Sequence, residues 1–172
     1  GDRVLFIPSW GKWLAWDGRR WKIDDGQIIV RRLAIRWSKR LWSEYGNARQ
    51  FLAQRDASQV EAFCKASNSD RGINAMIHLA QSDERCQCNH AELDGHPHLL
   101  NCENGTLDLR SGEIMPHDPQ HKITQLAPVV FDPDAQCQKW LDAMSLIFAD
   151  DQELVRYVQA IMGYCLSGDV GE

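Results

Sequence analysis

The stretch from Leu99 to Pro116, which reads LLNCENGTLDLRSGEIMP, constrains the fold of this chain more than any other. Apolar residues alternate through it at a period of two, and the alternation is interrupted at Asn104-Gly105 and again at Ser111-Gly112. Glycine-containing turns between short alternating runs are the strongest local signal for β-hairpins. The pattern therefore predicts a small antiparallel meander. Its predicted strands lie at 99–102, 106–109 and 113–115.

A second hairpin is predicted near the front of the chain, where Asp17-Gly18 separates two tryptophan-rich runs. A turn there makes Trp16 and Trp21 cross-strand neighbours. The pair forms either a buried aromatic corner or an exposed platform for base stacking, which requires arginines nearby such as Arg19 and Arg20. The predicted strands lie at 3–7, 13–16 and 21–23.

Between residues 27 and 45 the apolar period changes to 3.6, which predicts an amphipathic helix. Its apolar face comprises Val30, Leu33, Ala34, Trp37, Leu41 and Tyr45. Its opposite face carries Arg32, Arg36, Lys39 and Arg40, with Arg31 beside them. An ordinary solvated face mixes charges of both signs, whereas no acid interrupts this row before Glu44. The row is therefore either a solvated face or a surface for phosphates.

The remaining apolar patterns predict short helices on both sides of the meander, which gives an α+β fold of helical hairpins around a small sheet. One helix is expected to bury Val60, Phe63 and Cys64. Two others, opening near 132 and 150, are expected to bury Trp140, Leu141, Met144, Ile147 and Phe148, and Leu154, Val158, Ile161, Met162 and Cys165. A single domain over 1–172 is predicted, with the front hairpin at 1–25, helices at 26–84, the meander at 98–131 and helices at 134–167.

Charge is divided unevenly along the chain. Residues 1–46 hold ten Lys/Arg against five Asp/Glu, a net +5, while residues 47–172 hold nine against nineteen, a net −10. Such asymmetry indicates a front segment that faces a polyanion. The sequence contains neither a long apolar run nor a signal peptide, so a cytoplasmic protein without a membrane partner is expected. The missing initial Met suggests an excerpt from a longer chain.

One cluster in the sequence has the residue types of a metal site. It comprises Cys86, Cys88, His90, His96, His98 and Cys102. Zinc modules usually present Cys-x2-Cys pairs, whereas the spacing here is Cys-x-Cys and His-x-His. A structural metal module therefore stays an alternative to a polar loop, and no metal ligand is assigned. No phosphate loop, nucleophile elbow or zinc-protease motif occurs in the sequence.

Several runs occur together in an order that resembles a known family. They are NGTLDLRSGE at 104–113, PHD at 116–118, ITQLAP at 123–128, FDPDA at 131–135, WL at 140–141 and GYCLSGD at 163–169. With the early WLAWDG run at 13–18, they resemble the domain that precedes the superfamily 3 helicase in phage and plasmid primase-helicases and in the poxvirus primase-helicase. The likeness covers nearly the whole chain.

The resemblance implies a parent protein with a primase module upstream and a hexameric, ATP-driven helicase downstream, where ATP and Mg²⁺ would bind. This chain has no G-x4-G-K-S/T run, so it is expected to be a non-catalytic linker or collar without a cofactor of its own. Its expected partners are single-stranded or forked DNA, the downstream helicase domain and further copies of itself. The candidate DNA-binding residues are Arg19, Arg20, Arg31, Arg32, Arg36, Lys39 and Arg40, with Trp16 and Trp21 as stacking residues. The alternatives are an assembly module without DNA binding and a structural metal module.

Overall fold

The computed structural model describes residues 3–168. Within these residues the chain forms five α-helices and two three-stranded antiparallel sheets, so the predicted α+β fold is confirmed. The strands are β1 (Val4–Ile7), β2 (Lys12–Trp16), β3 (Trp21–Ile23), β4 (Leu99–Cys102), β5 (Gly105–Asp108) and β6 (Ile114–Met115). The helices are α1 (Ile28–Ala48), α2 (Gln54–Ser67), α3 (Asp70–Ala80), α4 (Gln138–Ile147) and α5 (Gln152–Leu166). No described helix has the length and hydropathy that a membrane span requires.

The described chain divides into two compact units. The first comprises residues 3–17 and 21–92, and the second comprises residues 18–20 and 93–168. Division into compact units does not decide how many domains a chain forms, so the single domain over 1–172 stays a prediction. The last four residues of that range and the first two lie outside the described residues.

The front hairpin of the first unit forms as predicted. Strands β2 and β3 pair in an antiparallel register that places Trp16 opposite Trp21, and the centroids of their rings lie 5.7 Å apart. On the other edge of β2, strand β1 pairs antiparallel with it. The backbone of Phe6 also bonds on both sides of Gln87, through Cys86 O and Cys88 N. A short parallel bridge therefore extends this sheet beyond β1.

Helix α1 follows the sheet and is anchored at its start by a buried carboxylate. Gln27, just before the helix, has a left-handed backbone with φ 57° and offers no side-chain cap. Asp24 supplies the acceptor instead, because its two carboxylate oxygens accept from the backbone N–H groups of Ile29 at 2.9 Å and Val30 at 2.8 Å. An anion at this end also complements the helix dipole. The direction of α1 is thus fixed directly after the sheet.

The core of the first unit lies where α1 and α3 meet the first sheet. Its buried members are Phe6, Trp13, Val30, Ala34, Ile73 and Ile77. Three side chains that the sequence pattern places on apolar faces of this unit are exposed. Trp37 is exposed although it shares the apolar side of α1, and Val60 and Phe63 are exposed on α2, where Cys64 is buried. Helix α2 therefore covers α1 with a narrower strip than its sequence pattern indicates.

The meander of the second unit also forms, with a shifted first turn. Cys102 pairs with Gly105, so the loop is Glu103-Asn104 and Gly105 belongs to β5. A Cβ at Gly105 would lie 2.5 Å from Met115 O and 2.7 Å from Ile114 Cγ1. Glycine is required there by the close approach of β6, not by the turn.

A polar network is buried inside this meander. Asn101 is buried, and its amide donates to Arg19 O at 2.8 Å and to Gln125 O at 3.2 Å. Its side-chain oxygen accepts from Thr106 Oγ1 at 3.0 Å and lies 2.8 Å from His117 Nδ1. Because each polar atom of Asn101 has a partner, the network ties β4, β5 and two loops together without the cost of an unpaired buried group.

The C-terminal part of the second unit departs most from expectation. Helix α4 begins at Gln138 and not near 132, because Asp132 Oδ1 accepts from Asp134 N in a turn. Helix α5 begins after Asp151, whose carboxylate accepts from the backbone N–H groups of Glu153 and Leu154. Several side chains predicted to be buried are exposed. They are Leu141, Ile147, Leu154, Ile161, Met162 and Cys165.

Candidate nucleic-acid interface

Four side chains on α1 form what we call the α1 cationic face: Arg32, Arg36, Lys39 and Arg40. All four are exposed. In an α-helix, residues three and four apart lie on neighbouring turns of one side. The four cations therefore follow one side of α1 over about two and a half turns, which makes a row of positive charge.

Three members of this face lack a competing acid. Within residues 3–168, the Arg32, Arg36 and Lys39 side chains make no ion pair or hydrogen bond. Arg40 differs, because its Nε lies 3.4 Å from Glu44 Oε1 and its guanidinium carbon lies 5.3 Å from the centroid of the Trp37 ring. An exposed pair four residues apart contributes little and is screened by salt. Arg32, Arg36 and Lys39 are thus free to meet an external anion.

Arg31, also a candidate, has a structural role. Its guanidinium bonds to the Asp70 carboxylate, and its Nη1 donates to Asn74 Oδ1 at 2.7 Å. Asn74 in turn donates to Asp70 at 3.0 Å. This cluster joins the start of α1 to the start of α3, so the charge of Arg31 is partly neutralised within the first unit.

The two hairpin arginines belong to a different unit from α1. Arg19 and Arg20 lie in the loop between β2 and β3 and belong to the second unit. The carbonyl of Arg19 accepts from Asn101, and the Arg20 side chain is half-buried. The candidates on α1 thus share one helix of the first unit, whereas Arg19 and Arg20 belong to the second unit.

The accessible aromatic ring is not the one that the sequence indicated. Trp21 is 2% exposed, so its ring cannot receive a base, and the half-buried Trp16 lies against it. Trp37, in contrast, is 57% exposed and borders the α1 cationic face through Arg40. The helical period places Trp37 on the apolar face because it gives the angular position of a side chain about the helix axis. It does not give the distance from that side chain to the neighbouring element, which decides whether the side chain is buried.

The Cys/His cluster is not gathered into one site. Cys86, Cys88 and His90 belong to the first unit, and His96, His98 and Cys102 belong to the second. Among the described residues, no three His, Cys, Asp or Glu side chains are arranged to hold a metal ion. The six cysteines carry free thiols. Burial raises the pKa of the Cys102 thiol, which disfavours the thiolate that a metal requires.

A cavity of the first unit beside His90 also carries no recognisable chemistry. It has a volume of about 460 Å³ and is lined by polar residues, among which Ser9 Oγ lies 3.2 Å from His90 Nδ1. A serine nucleophile needs a histidine that a third group orients. Within the described chain His90 contacts Ser9 and the Trp10 ring, and no carboxylate binds its other nitrogen.

Comparison with known proteins identifies one family for this chain. The model of the family described as D5 N terminal like matches residues 1–149, which extends through α4, while no curated protein matches the chain. This family is the domain that precedes the superfamily 3 helicase in phage and plasmid primase-helicases, and its context is DNA replication. The match spans far more than half of the sequence, so the chain belongs to the D5 N-terminal-like family.

Proposed function

We propose that this chain is a non-catalytic DNA-contacting domain of a phage- or plasmid-type primase-helicase that works in the cytoplasm of the host. The α1 cationic face holds single-stranded or forked DNA by its phosphates, while a downstream helicase domain binds ATP and Mg²⁺ and supplies the energy. The observation that supports this proposal is the row of Arg32, Arg36 and Lys39, exposed and without a carboxylate partner in the described chain.

The charges of the face determine what binding should look like. Three phosphate contacts release about three condensed counterions, so the slope of log K against log salt should be about −2 to −3. Contacts to phosphates carry no sequence information, and binding should therefore be insensitive to base order. A domain that guides DNA into a motor needs this combination of modest affinity and sequence tolerance.

Fluorescence anisotropy with labelled single-stranded and forked DNA at two salt concentrations tests the proposal. Charge reversal by Arg32→Glu, Arg36→Glu and Lys39→Glu together should weaken binding at low salt by at least about tenfold and flatten the salt slope. The matched control reverses three exposed cations of other helices, Arg55, Arg71 and Lys139, and should have a much smaller effect. Absence of binding at low salt, or equal losses in both triple variants, rejects the proposal.

The exposed apolar residues of α4 and α5 favour a second candidate, an assembly surface. Leu146 is 85% exposed and Ile147 is 63% exposed, and Tyr157 and Ile161 on α5 are exposed as well. Apolar faces of this kind on helices commonly mark interaction sites. The family precedes a helicase domain, so we propose that domain as the partner of this surface.

Sedimentation of the chain with and without the downstream helicase domain separates the two candidates. Assembly through α4 and α5 predicts association that Leu146→Asp and Ile147→Asp abolish while DNA binding by α1 persists. Val129→Asp and Val130→Asp, at exposed apolar positions outside these helices, serve as the control. Unchanged sedimentation of the α4 variant would remove the assembly surface.

A further inference from the structure

A second cavity of the first unit lies between the first sheet, α1 and α3. Its volume is about 410 Å³, which falls in the range of small-molecule sites. The wall is made mainly by apolar and aromatic side chains, including Trp13, Leu33 and Met76. Arg3 is the charged residue among those that line it. An apolar cavity with a cation in its wall suits a flat ring system that is attached to an anionic backbone.

The mouth of this cavity lies next to the α1 cationic face. Trp37 lines the cavity and is nevertheless 57% exposed, which places its ring at the opening. The Arg40 guanidinium lies 5.3 Å from the centroid of that ring. Arg36 precedes Trp37 in the helix and is separated from the cavity-lining Leu33 by three residues, about one turn. A polymer whose anions follow the cationic face therefore carries its side groups past the opening.

We propose that this cavity receives one unstacked base of a single-stranded nucleic acid whose phosphates contact the α1 cationic face. The inference rests on the proposed function and adds to it a base-binding pocket that prefers unpaired strands. Aromatic rings hold bases of any sequence because each base has a π-face, and an arginine over the ring adds to the attraction. Trp37 with Arg40 provides both groups at the opening.

The cavity wall also supplies a positive charge for an anionic backbone. Arg3 lines the cavity, and its side chain has no partner in the described chain. Its positive charge is therefore available to a phosphate.

Abasic DNA separates this proposal from the proposed function. An oligothymidylate and an abasic oligomer of equal length carry the same phosphates, so the α1 cationic face binds both. Occupation of the cavity predicts that the abasic oligomer binds about tenfold more weakly, which is the scale of one stacked base. Equal affinity for the two oligomers overturns the cavity proposal and leaves the phosphate contacts intact. Failure of both oligomers to bind overturns both proposals.

Two variants with matched controls locate the base. Ala80→Leu fills the cavity from α3, and Trp37→Ala removes the ring at the opening. Each should lower the affinity for oligothymidylate to that for the abasic oligomer. Ala75→Leu, at an exposed position of the same helix, and Trp10→Ala, at an exposed tryptophan away from the cavity, should preserve the difference. If Ala80→Leu disturbs folding, Trp37→Ala still decides, because its side chain is largely in solvent.

A photocrosslink identifies the occupant directly. Oligothymidylate with a single 5-iododeoxyuridine should crosslink to residues of this cavity, with Trp37 or Met76 as the mapped position. Crosslinks confined to other parts of the chain overturn the proposal. Displacement of the oligomer by laurate but not by thymidine monophosphate would also overturn it, since the cavity would then bind an anionic lipid.

Discussion

The two units use amphipathic helices of the same kind with opposite results. In the first unit α3 packs Ile73 and Ile77 into a core shared with α1 and the first sheet, and both side chains are buried. In the second unit α4 leaves Leu146 and Ile147 in solvent, although these side chains are no less apolar than Ile73 and Ile77. The difference shows that a 3.6-residue period defines the face that needs cover and does not identify the element that covers it.

The largest expected effect compares the same side chain in the two units. Ile77→Ala should lower the free energy of unfolding by about 2–5 kcal/mol, because a buried isoleucine leaves a cavity. Ile147→Ala, at a residue 63% exposed, should change it by less than about 0.5 kcal/mol. Urea denaturation of both variants measures the contrast. Comparable losses would mean that α4 is covered in solution and that the comparison fails.

The next effect concerns the polar interior of the second unit. Asn101→Ala removes four hydrogen bonds and leaves Thr106 and His117 without their shared acceptor. A destabilisation of about 2–3 kcal/mol is expected, because buried groups without partners are costly. Thermal unfolding followed by circular dichroism measures it. Asn47→Ala, at an exposed position of α1, is the control, and an equal shift in both variants would contradict the role of the network.

The start of α1 gives a smaller effect. Asp24→Ala removes the acceptor for two backbone N–H groups and should destabilise the first unit by about 1–2 kcal/mol. The neighbouring Asp25 is exposed and serves as the control, with a change of a few tenths of a kcal/mol expected for Asp25→Ala. Hydrogen exchange of the Ile29 and Val30 amides reports on the cap itself. Unchanged protection in Asp24→Ala would show that another group anchors the helix.

The smallest effect is a dependence of stability on pH. Arg85 holds the pKa of the Asp83 carboxyl at about 2, below its ordinary value of 3.8, through hydrogen bonds from its side chain and backbone. A lowered pKa means that the stabilisation is present above the ordinary value and is lost as pH falls through about 2. Unfolding midpoints measured from pH 5 to pH 2 should fall less in Asp83→Asn than in the unchanged chain. Asp134→Asn is the exposed control, and identical profiles for all three proteins would exclude the effect.

Much of the architecture could be predicted because short-range rules determine it. The alternation and glycine turns predict both sheets, and the Trp16–Trp21 pair follows from the register of one hairpin. The error at Gly105 has a clear cause: a Gly in sequence suggests a turn, whereas here it accommodates the backbone of β6. Local rules do not reveal that Ala127 and Val129 form backbone hydrogen bonds with Asn101 and Glu103.

The candidate site was only partly predictable. The helical period places Arg32, Arg36, Lys39 and Arg40 on one side of α1, as the structure has them. No local rule reveals that Arg31 binds Asp70 and Asn74, which lie about forty residues later in the sequence. The exposure of Trp37 and the cavity beside it likewise depend on the distance between α1 and α3. Both follow from tertiary packing. The spacing of residues along the chain predicts the faces of a helix but not the distance between two helices.

The cluster of Arg31 with Asp70 and Asn74 has a consequence for how α1 meets a polymer. It links the start of α1 to the start of α3 and so opposes rotation of α1 about its own axis relative to α3. Four residues of helix advance along the axis by about 6 Å, so Arg32, Arg36 and Arg40 present positive charges at intervals of about that length. One residue inserted between Arg32 and Arg36 would rotate the later cations by about 100° about the axis relative to Arg32. A polymer lying along the helix would then meet the cations on only one side of the insertion.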